Sequence, residues 1–415
     1  MSEYYDDLET RDHAGREREL FARLPRFLAE AVIAAPAWAR RLSGVDLAAL
    51  TSRQALASVP VLRKAELMEA QAAHPPFGGF VDDSQLDGAR YFMSPGPVWE
   101  PLPTGPDAGN AARAFFAAGI RRGDLVHNAL SYHLTPGGFF LDEGARALGA
   151  RVFPAGVGNT EQQVEAAATI RPVAYAGTPD FLKILLDKAA AMGRDLTSIR
   201  KALVSGGALF PSLRAEYRER GVAVMQCYAT ADLGVIAYET SLDGEPLPGM
   251  IASENIILEI VRPGTSDPVS HGEVGEVVVT SFNPAYPMLR FGTGDMSAIM
   301  EGPSPCGRTN LRIRGWMGRA DQRTKVKGMF VDPKQIDAVV KSVGGIARAR
   351  LVVERDGDMD AMTLQIEPQA GAAPDAQAVA AALTAQTKLK GAVEIVREPL
   401  PNDGKIIDDR RDYSK

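Results

Sequence analysis

Four short stretches hold side chains whose types and spacing could do chemistry. In Tyr228-Ala229-Thr230-Ala231-Asp232 an aromatic ring, a hydroxyl and a carboxylate recur at two-residue steps. An aromatic face can stack on a flat heterocycle, a hydroxyl can contact phosphate, and a carboxylate can hold a hard divalent cation. In Arg290-Phe291-Gly292-Thr293-Gly294-Asp295 a Gly-x-Gly turn leads into an aspartate, whose two charged oxygens suit a pair of hydroxyl donors. The string from Gly318 to Gly328 is basic and bounded by glycines, with Arg319, Asp321, Arg323, Lys325 and Lys327 inside it. Lastly, Pro401-Asn402-Asp403-Gly404-Lys405 puts a lysine on a polar loop, where a mobile ammonium can meet charge that develops during a reaction. Each stretch alone has a plainer reading: a turn after a buried strand, a common glycine turn, a solvated basic loop, a surface lysine.

The elements that must position these residues follow from periodicity. Leu20, Phe21, Leu24, Phe27, Leu28 and Val32 recur at three- and four-residue steps, which predicts an amphipathic helix packed on the main body. From about residue 110 the pattern alternates: helix over 110–118, strand over 124–130, helix over 139–148, then short strands at 151–153, 174–175 and 202–204 between helices. Such alternation predicts an α/β fold with a mainly parallel sheet covered by helices. The pattern then changes to β-rich runs at 256–262 and 276–282, joined by a Pro/Gly/Asp/Ser segment that reads as a hairpin connection. After the basic connector a small α+β unit is expected, with helices at 333–341 and 375–386 and strands at 349–354 and 362–366. The last stretch, 399–415, reads as a polar loop. We therefore expect a large N-terminal domain over 1–320 and a small C-terminal lid over 321–415.

A chain of 415 residues exceeds what one hydrophobic core usually supports, which agrees with two domains. The net charge of -6 argues against nucleic acid or an anionic membrane as the main partner. Two cysteines, Cys227 and Cys306, indicate a reduced compartment without a disulfide framework, and the five scattered histidines give no metal-ligand spacing. The most apolar early stretch, 27–39, is short and interrupted by Glu30 and Pro36, so no membrane span is expected. Glu3, Asp6, Asp7 and Glu9 precede any apolar run, unlike a signal peptide, and a cytoplasmic location is expected.

Taken in order, the four stretches resemble the core motifs of the adenylate-forming, AMP-binding superfamily. The opening YYDDLETRD, the phrase VLRKAELMEAQAAHPPFGGF and the chain length narrow the resemblance to the phenylacetate–coenzyme A ligase family. It covers nearly the whole chain. The resemblance implies ATP, Mg2+ and coenzyme A, a small aromatic acid as substrate, a homodimer, and two half-reactions through an acyl-adenylate. It assigns Tyr228 to the adenine ring, Ala229 beside it, Thr230 to phosphate, Asp232 to magnesium and Asp295 to the ribose hydroxyls. Arg319 would contact ribose or phosphate, Asp321 would be the hinge, and Lys325 and Lys327 would turn toward the site after rotation. Lys405 would be the adenylation lysine. Tyr132, His133 and Phe140 are candidates for the acid pocket, with Gly206 and Gly207 from the next wall, and the two glycines also count among the nucleotide-binding residues.

Three departures accompany the resemblance. Asp232 stands where the family usually has Glu. Ser205-Gly206-Gly207-Ala208 lacks a Glu often found beside the glycines. The family's Ser/Thr/Gly-rich phosphate loop is replaced by Met93-Ser94-Pro95-Gly96-Pro97-Val98-Trp99-Glu100. Two prolines remove two N–H donors, leaving Ser94, Gly96 and the amides of Val98 and Trp99, beside a Glu100 that would repel phosphate. Two other readings therefore stand beside a coenzyme A ligase. One is an adenylating enzyme with an amine or a carrier protein as acceptor. The other is a nucleotide- or acyl-binding protein of this fold that has lost adenylation.

Overall fold

In the computed structural model the residues described are 3–94, 97–320, 322–356, 359–369, 371–396, 398–400 and 406–411. They fall into two compact units, Met1–Trp316 and Met317–Lys415.

The first unit opens with helix α1 (His13–Ala34), whose N-terminus is capped by the Asp12 carboxylate accepting from the Gly15 amide. Leu20, Phe21, Leu24, Phe27 and Leu28 are buried along one stripe, as the spacing predicts, and Val32 packs at its margin. A two-stranded hairpin follows, β1 (Arg90–Ser94) and β2 (Val98–Leu102), in which Ser94 pairs with Val98 and Phe92 with Glu100.

The central sheet has nine strands. Its parallel part is β3 (Leu125–Asn128), β4 (Arg151–Pro154), β5 (Ala174–Gly177), β6 (Lys201–Val204) and β7 (Ala223–Thr230), in the order β4-β3-β5-β6-β7. Strand β8 (Gly234–Tyr238) then joins β7 antiparallel, and short strands extend that edge. The expected strands at 151–153, 174–175 and 202–204 all lie within it. The inner two, at 174–175 and 202–204, read as apolar runs because both faces are covered, whereas the edge strand β4 is only partly buried. Ala174 and Ala176 enter one core with Leu141 and Ala145 of α2 (Gly137–Ala147). Tyr175, between them, enters the opposite core with Val164 of α3 (Thr160–Ile170), Leu182 of α4 (Pro179–Ala191) and Tyr217 of α5 (Pro211–Glu219).

A four-stranded sheet contains the expected hairpin, β9 (Ile256–Val261) and β10 (Gly275–Ser281), then β11 (Met288–Ser297) and the short Leu62–Arg63. Arg290 locks β11 in place. It is fully buried, its Nε and Nη2 each lie 3.0 Å from Glu259, and it donates to the carbonyls of Ala57, Val59 and Ser266. Removing one partner of such a buried pair costs about 3–5 kcal/mol. The arginine that opens the Gly-x-Gly-Asp motif is thus the pin that fixes the strand.

The second unit holds α6 (Pro333–Val343) and α7 (Ala376–Thr387) with a sheet of β12 (Ile346–Asp356), β13 (Met359–Pro368), β14 (Ala392–Ile395) and β15 (Ile407–Asp409). Ile336, Leu351, Leu364, Val379 and Leu383 form its core. Strand β15 was expected as loop; it pairs parallel with β12, placing Ile407 opposite Leu351. Among the described residues no helix is long and apolar enough to cross a membrane.

Candidate active site

Strands β7 and β11 belong to different sheets, and the sequence-predicted residues Tyr228 and Asp295 are where they meet. Both side chains are buried, and the Tyr228 hydroxyl donates to Asp295 Oδ2 at 2.8 Å. Trp316 Nε1 donates to Asp295 Oδ1 at 3.0 Å, and the Asp295 amide donates to Thr293 Oγ1. Each carboxylate oxygen therefore accepts from a side-chain donor of another segment. Charge-assisted bonds from two distant segments hold the carboxylate, and a local bond to Thr293 fixes the backbone beside it. The Tyr228 ring, anchored at its hydroxyl, cannot turn freely.

Beyond Ala229, β7 ends at Thr230 and a tight turn returns the chain at Gly234. That residue has φ +72°, and a Cβ there would lie 2.5 Å from the Gly109 carbonyl oxygen, so only glycine fits. The turn presents Thr230 Oγ1 and Asp232 Oδ1, both buried and without a hydrogen-bond partner. Asp232 Oδ2 accepts from Lys64 Nζ at 3.1 Å. Buried oxygens left without partners are rare in folded proteins. A hydroxyl and a carboxylate oxygen are also the hard donors that magnesium and its water shell prefer. The residues present thus fit the cation that the sequence reading assigned to Asp232.

The altered phosphate loop behaves differently. Ser94, at the end of β1, donates its amide to Glu100 Oε2 at 3.2 Å and its hydroxyl to Glu100 Oε1. Ser94 and Glu100 lie on the same face of the hairpin, and both are buried. The residue before Glu100, Trp99, has its amide and carbonyl bridged by the side chain of the buried Gln71, at 2.9 and 2.8 Å. Burial, then the negative charge of Asp232, push the Glu100 carboxyl up to about 8. Glu100 is therefore largely protonated at neutral pH and repels phosphate less than its sequence implies. Gly96 lies outside the described residues.

The candidate acid pocket is at the carboxyl-terminal edge of the parallel strands, where open α/β sheets bind ligands. The Tyr132 hydroxyl donates to Asp142 at 3.0 Å and accepts from Asn128 Nδ2 at 2.7 Å; its ring packs edge-to-face on Phe139. Phe140 is buried in a small core with Phe92 and Leu102, against which Phe139 also packs. His133 is exposed, in a turn where its amide donates to Ser131 Oγ. Gly206 and Gly207 follow β6, the former at φ +71°. Met93 and Leu134, bonded amide to carbonyl at 2.7 Å, tie the β1–β2 hairpin to the loop that carries Tyr132 and His133.

In the second unit Arg319 and Lys325 are half-buried, and the Lys325 ammonium lies 5.9 Å from the centre of the Phe330 ring. Asp321 and Lys405 fall outside the described residues. Gln322, which follows Asp321, uses its Oε1 to accept from the amides of Ile406 and Ile407, the two residues after Lys405. Gln322 thereby ties the chain that follows the expected hinge position to the chain that follows the expected lysine. Lys64, Gln71 and Trp316 escaped sequence reasoning. Lys64 and Gln71 lie in the phrase at 61–80 that narrowed the resemblance, but nothing local marks their partners.

A family model described as AMP-binding enzyme matches residues 108–285, which include β3 to β10 and the Tyr228–Asp232 turn. A phenylacetate–coenzyme A ligase of Thermus thermophilus is 29% identical over 378 residues, covering 88% of this chain and 84% of that protein. Another, of Aromatoleum evansii, is 28% identical over 78% of this chain and 74% of its own. Among solved structures, a 2-hydroxyisobutyryl-CoA ligase bound to its acyl-adenylate and CoA superposes with a TM-score of 0.81 at 27% identity. That match covers 99% of this chain and 93% of the other. Over most of its length the chain is thus similar to phenylacetate–coenzyme A ligases, and its residues 108–285 match the AMP-binding enzyme model.

Proposed function

We propose that this protein activates a small aromatic, phenylacetate-like acid as its adenylate and then transfers the acyl group to coenzyme A. The observation that carries the reading is the preorganised wall of Tyr228, Asp295 and Trp316 beside two unpartnered buried oxygens, Thr230 Oγ1 and Asp232 Oδ1. It offers a ring face and a carboxylate acceptor next to hard donors for phosphate and its cation, in the order a nucleotide presents those groups.

In the first half-reaction a substrate carboxylate oxygen attacks the α-phosphorus of ATP, and the bond to pyrophosphate breaks. No protein nucleophile is required, so positioning and charge stabilisation supply the rate. Asp295 holds the ribose hydroxyls and Tyr228 flanks adenine, with Ala229 small enough to leave the ring room. Gly206 and Gly207 allow close approach of backbone to ligand. Magnesium held through Asp232 would neutralise phosphate charge. Ser94 acts by closing the hairpin end through Glu100. Lys405 brings positive charge to the carboxylate and α-phosphate, and Arg319 contacts the sugar–phosphate. In the second half-reaction the chain turns at Asp321 and Lys325 takes its place near the site. The thiolate of coenzyme A attacks the acyl carbon and AMP leaves.

The aromatic substrate is supported by the phenylacetate ligases among the relatives and by the Tyr132–Phe139 pair. The solved neighbour, an aliphatic hydroxy-acid ligase, makes small hydroxy acids the first competitors to test. A cytoplasmic homodimer completes the reading. A panel of aromatic and small hydroxy acids, assayed for AMP with ATP, magnesium and coenzyme A, tests it. Aromatic acids are expected to give the highest kcat/KM. Pyrophosphate release that does not depend on coenzyme A, with no thioester formed, would point to another acceptor.

The occupied donors of Ser94 favour one second reading, a nucleotide binder without adenylation. Tight AMP binding with no acid-dependent turnover distinguishes it.

A further inference from the structure

His127 and Asn128 are consecutive on β3, so their side chains enter opposite faces of the sheet. Both are fully buried, and each serves one of the two loops at the edge where the acid is placed. Asn128 Nδ2 donates to the Tyr132 hydroxyl and to the Gly138 carbonyl at 2.8 Å, fixing the loop after β3. On the other face His127 Nε2 lies 2.8 Å from Gln163 Oε1, and Gln163 Nε2 donates to the carbonyls of Gly156 at 2.9 Å and Gly158 at 2.7 Å. Those carbonyls belong to the loop after β4.

The proton position follows from this pattern. An amide nitrogen has two hydrogens, and both carbonyls need one, so the Gln163 nitrogen must face them. Its oxygen then faces the ring and can only accept. Hence His127 carries its proton on Nε2. Its Nδ1 is buried without a partner, which leaves no acceptor for a second proton there. Burial accordingly pushes the imidazole below its usual pKa, and the ring stays neutral between Phe153 and Tyr175.

The loop needs such a clamp. Gly156 and Gly158, at φ +70° and +75°, lose much backbone freedom when the loop is held in one conformation, and Asn159 follows at φ +49°. The Gly156 amide donates to the Asn128 carbonyl, and a Cβ built on Gly156 would come within 3.9 Å of the Tyr132 ring. The loop is therefore a wall against the leading acid-pocket residue.

We propose that His127 is a positioning residue for acid recognition: as the neutral Nε2–H tautomer it orients Gln163, which holds the 156–158 loop against Tyr132. This rests on the acid binding at that edge. His127 itself touches no reacting atom.

The test has two parts on the full chain. Long-range proton–nitrogen spectra of histidine-labelled protein, with the His127 signal assigned by its absence in a variant, are expected to show a protonated Nε2 and a bare Nδ1. A proton on Nδ1, or an imidazolium at neutral pH, overturns the proposal and needs no variant to fold. The second part compares His127→Phe, which keeps an aromatic ring but no donor, with His127→Gln, whose amide nitrogen has similar reach. In His127→Phe, KM for the acid should rise about tenfold and hydrogen exchange in the 155–159 segment should quicken similarly, with KM for ATP within about twofold. His127→Gln should restore both. An active His127→Phe protein with unchanged acid KM and loop exchange overturns this inference alone, whereas a wild type inactive on every acid overturns the functional reading beneath it.

Discussion

Two buried carboxyl groups in the first unit make opposite use of the same chemistry. Asp295 receives hydrogen bonds from Tyr228 and Trp316, groups 67 and 21 residues away. Glu100 receives its bonds from Ser94, six residues away across a tight hairpin, and sits within the field of Asp232. The first arrangement gathers donors from distant segments, and in the proposed function it meets the ribose hydroxyls of a nucleotide. The second closes a local structure and carries a proton. The difference teaches that a carboxylate's role is set by where its donors come from and which charges surround it.

The comparison breaks most easily at Asp295. Asp295→Ala should weaken AMP binding about 100-fold in calorimetry, because two charge-assisted bonds to the ribose are lost together. A loss under about threefold would put the ribose elsewhere.

At the other carboxyl the effect should fall on stability. Glu100→Ala leaves the Ser94 amide buried without its acceptor and should cost about 1–3 kcal/mol in denaturant unfolding. Glu100→Gln retains an acceptor oxygen and should cost less. Equal losses would mean that packing, not the hydrogen bond, dominates.

The proton on Glu100 sharpens the contrast through pH. A folded-state value of about 8, above the ordinary 4.5, means the native protein holds this proton more tightly than the unfolded chain. The stabilising contribution is complete below the ordinary value and is lost as pH rises through about 8. Stability should thus fall between those limits, by up to about 1 kcal/mol per pH unit, and Glu100→Gln should flatten that slope. An unchanged slope would contradict the assignment.

The smallest effect is expected at Ser94. Because both its donors already serve Glu100, Ser94→Ala should change KM for ATP by less than about threefold. A larger rise with unchanged stability would mean that its hydroxyl reaches phosphate.

Much of the scaffold was legible because period and burial agree. The short strands of the parallel sheet, the β9–β10 hairpin and α1 all follow from apolar spacing that tertiary packing then uses. Strand β15 was not legible: two of its three residues are aspartates, and only pairing with β12 makes it a strand. At the site, Tyr228 and Asp295 were found as members of motifs, yet their bond to each other spans two sheets and no local pattern encodes it. Phe140 was read as a candidate for the acid pocket, and its packing with Phe92 and Leu102 was not encoded by any local pattern. The role of Glu100 was hidden for a simpler reason. Hairpin register puts it on the same face as Ser94, and the turn between them contains two prolines that obscure the strand pattern.

The most direct test of the account is acid-dependent exchange of labelled pyrophosphate into ATP, without coenzyme A, in wild type and in Asp295→Ala. The account predicts exchange with an aromatic acid in the wild type and a fall of about 100-fold in the variant. Exchange indifferent to Asp295, or none with any acid despite tight AMP binding, would contradict it.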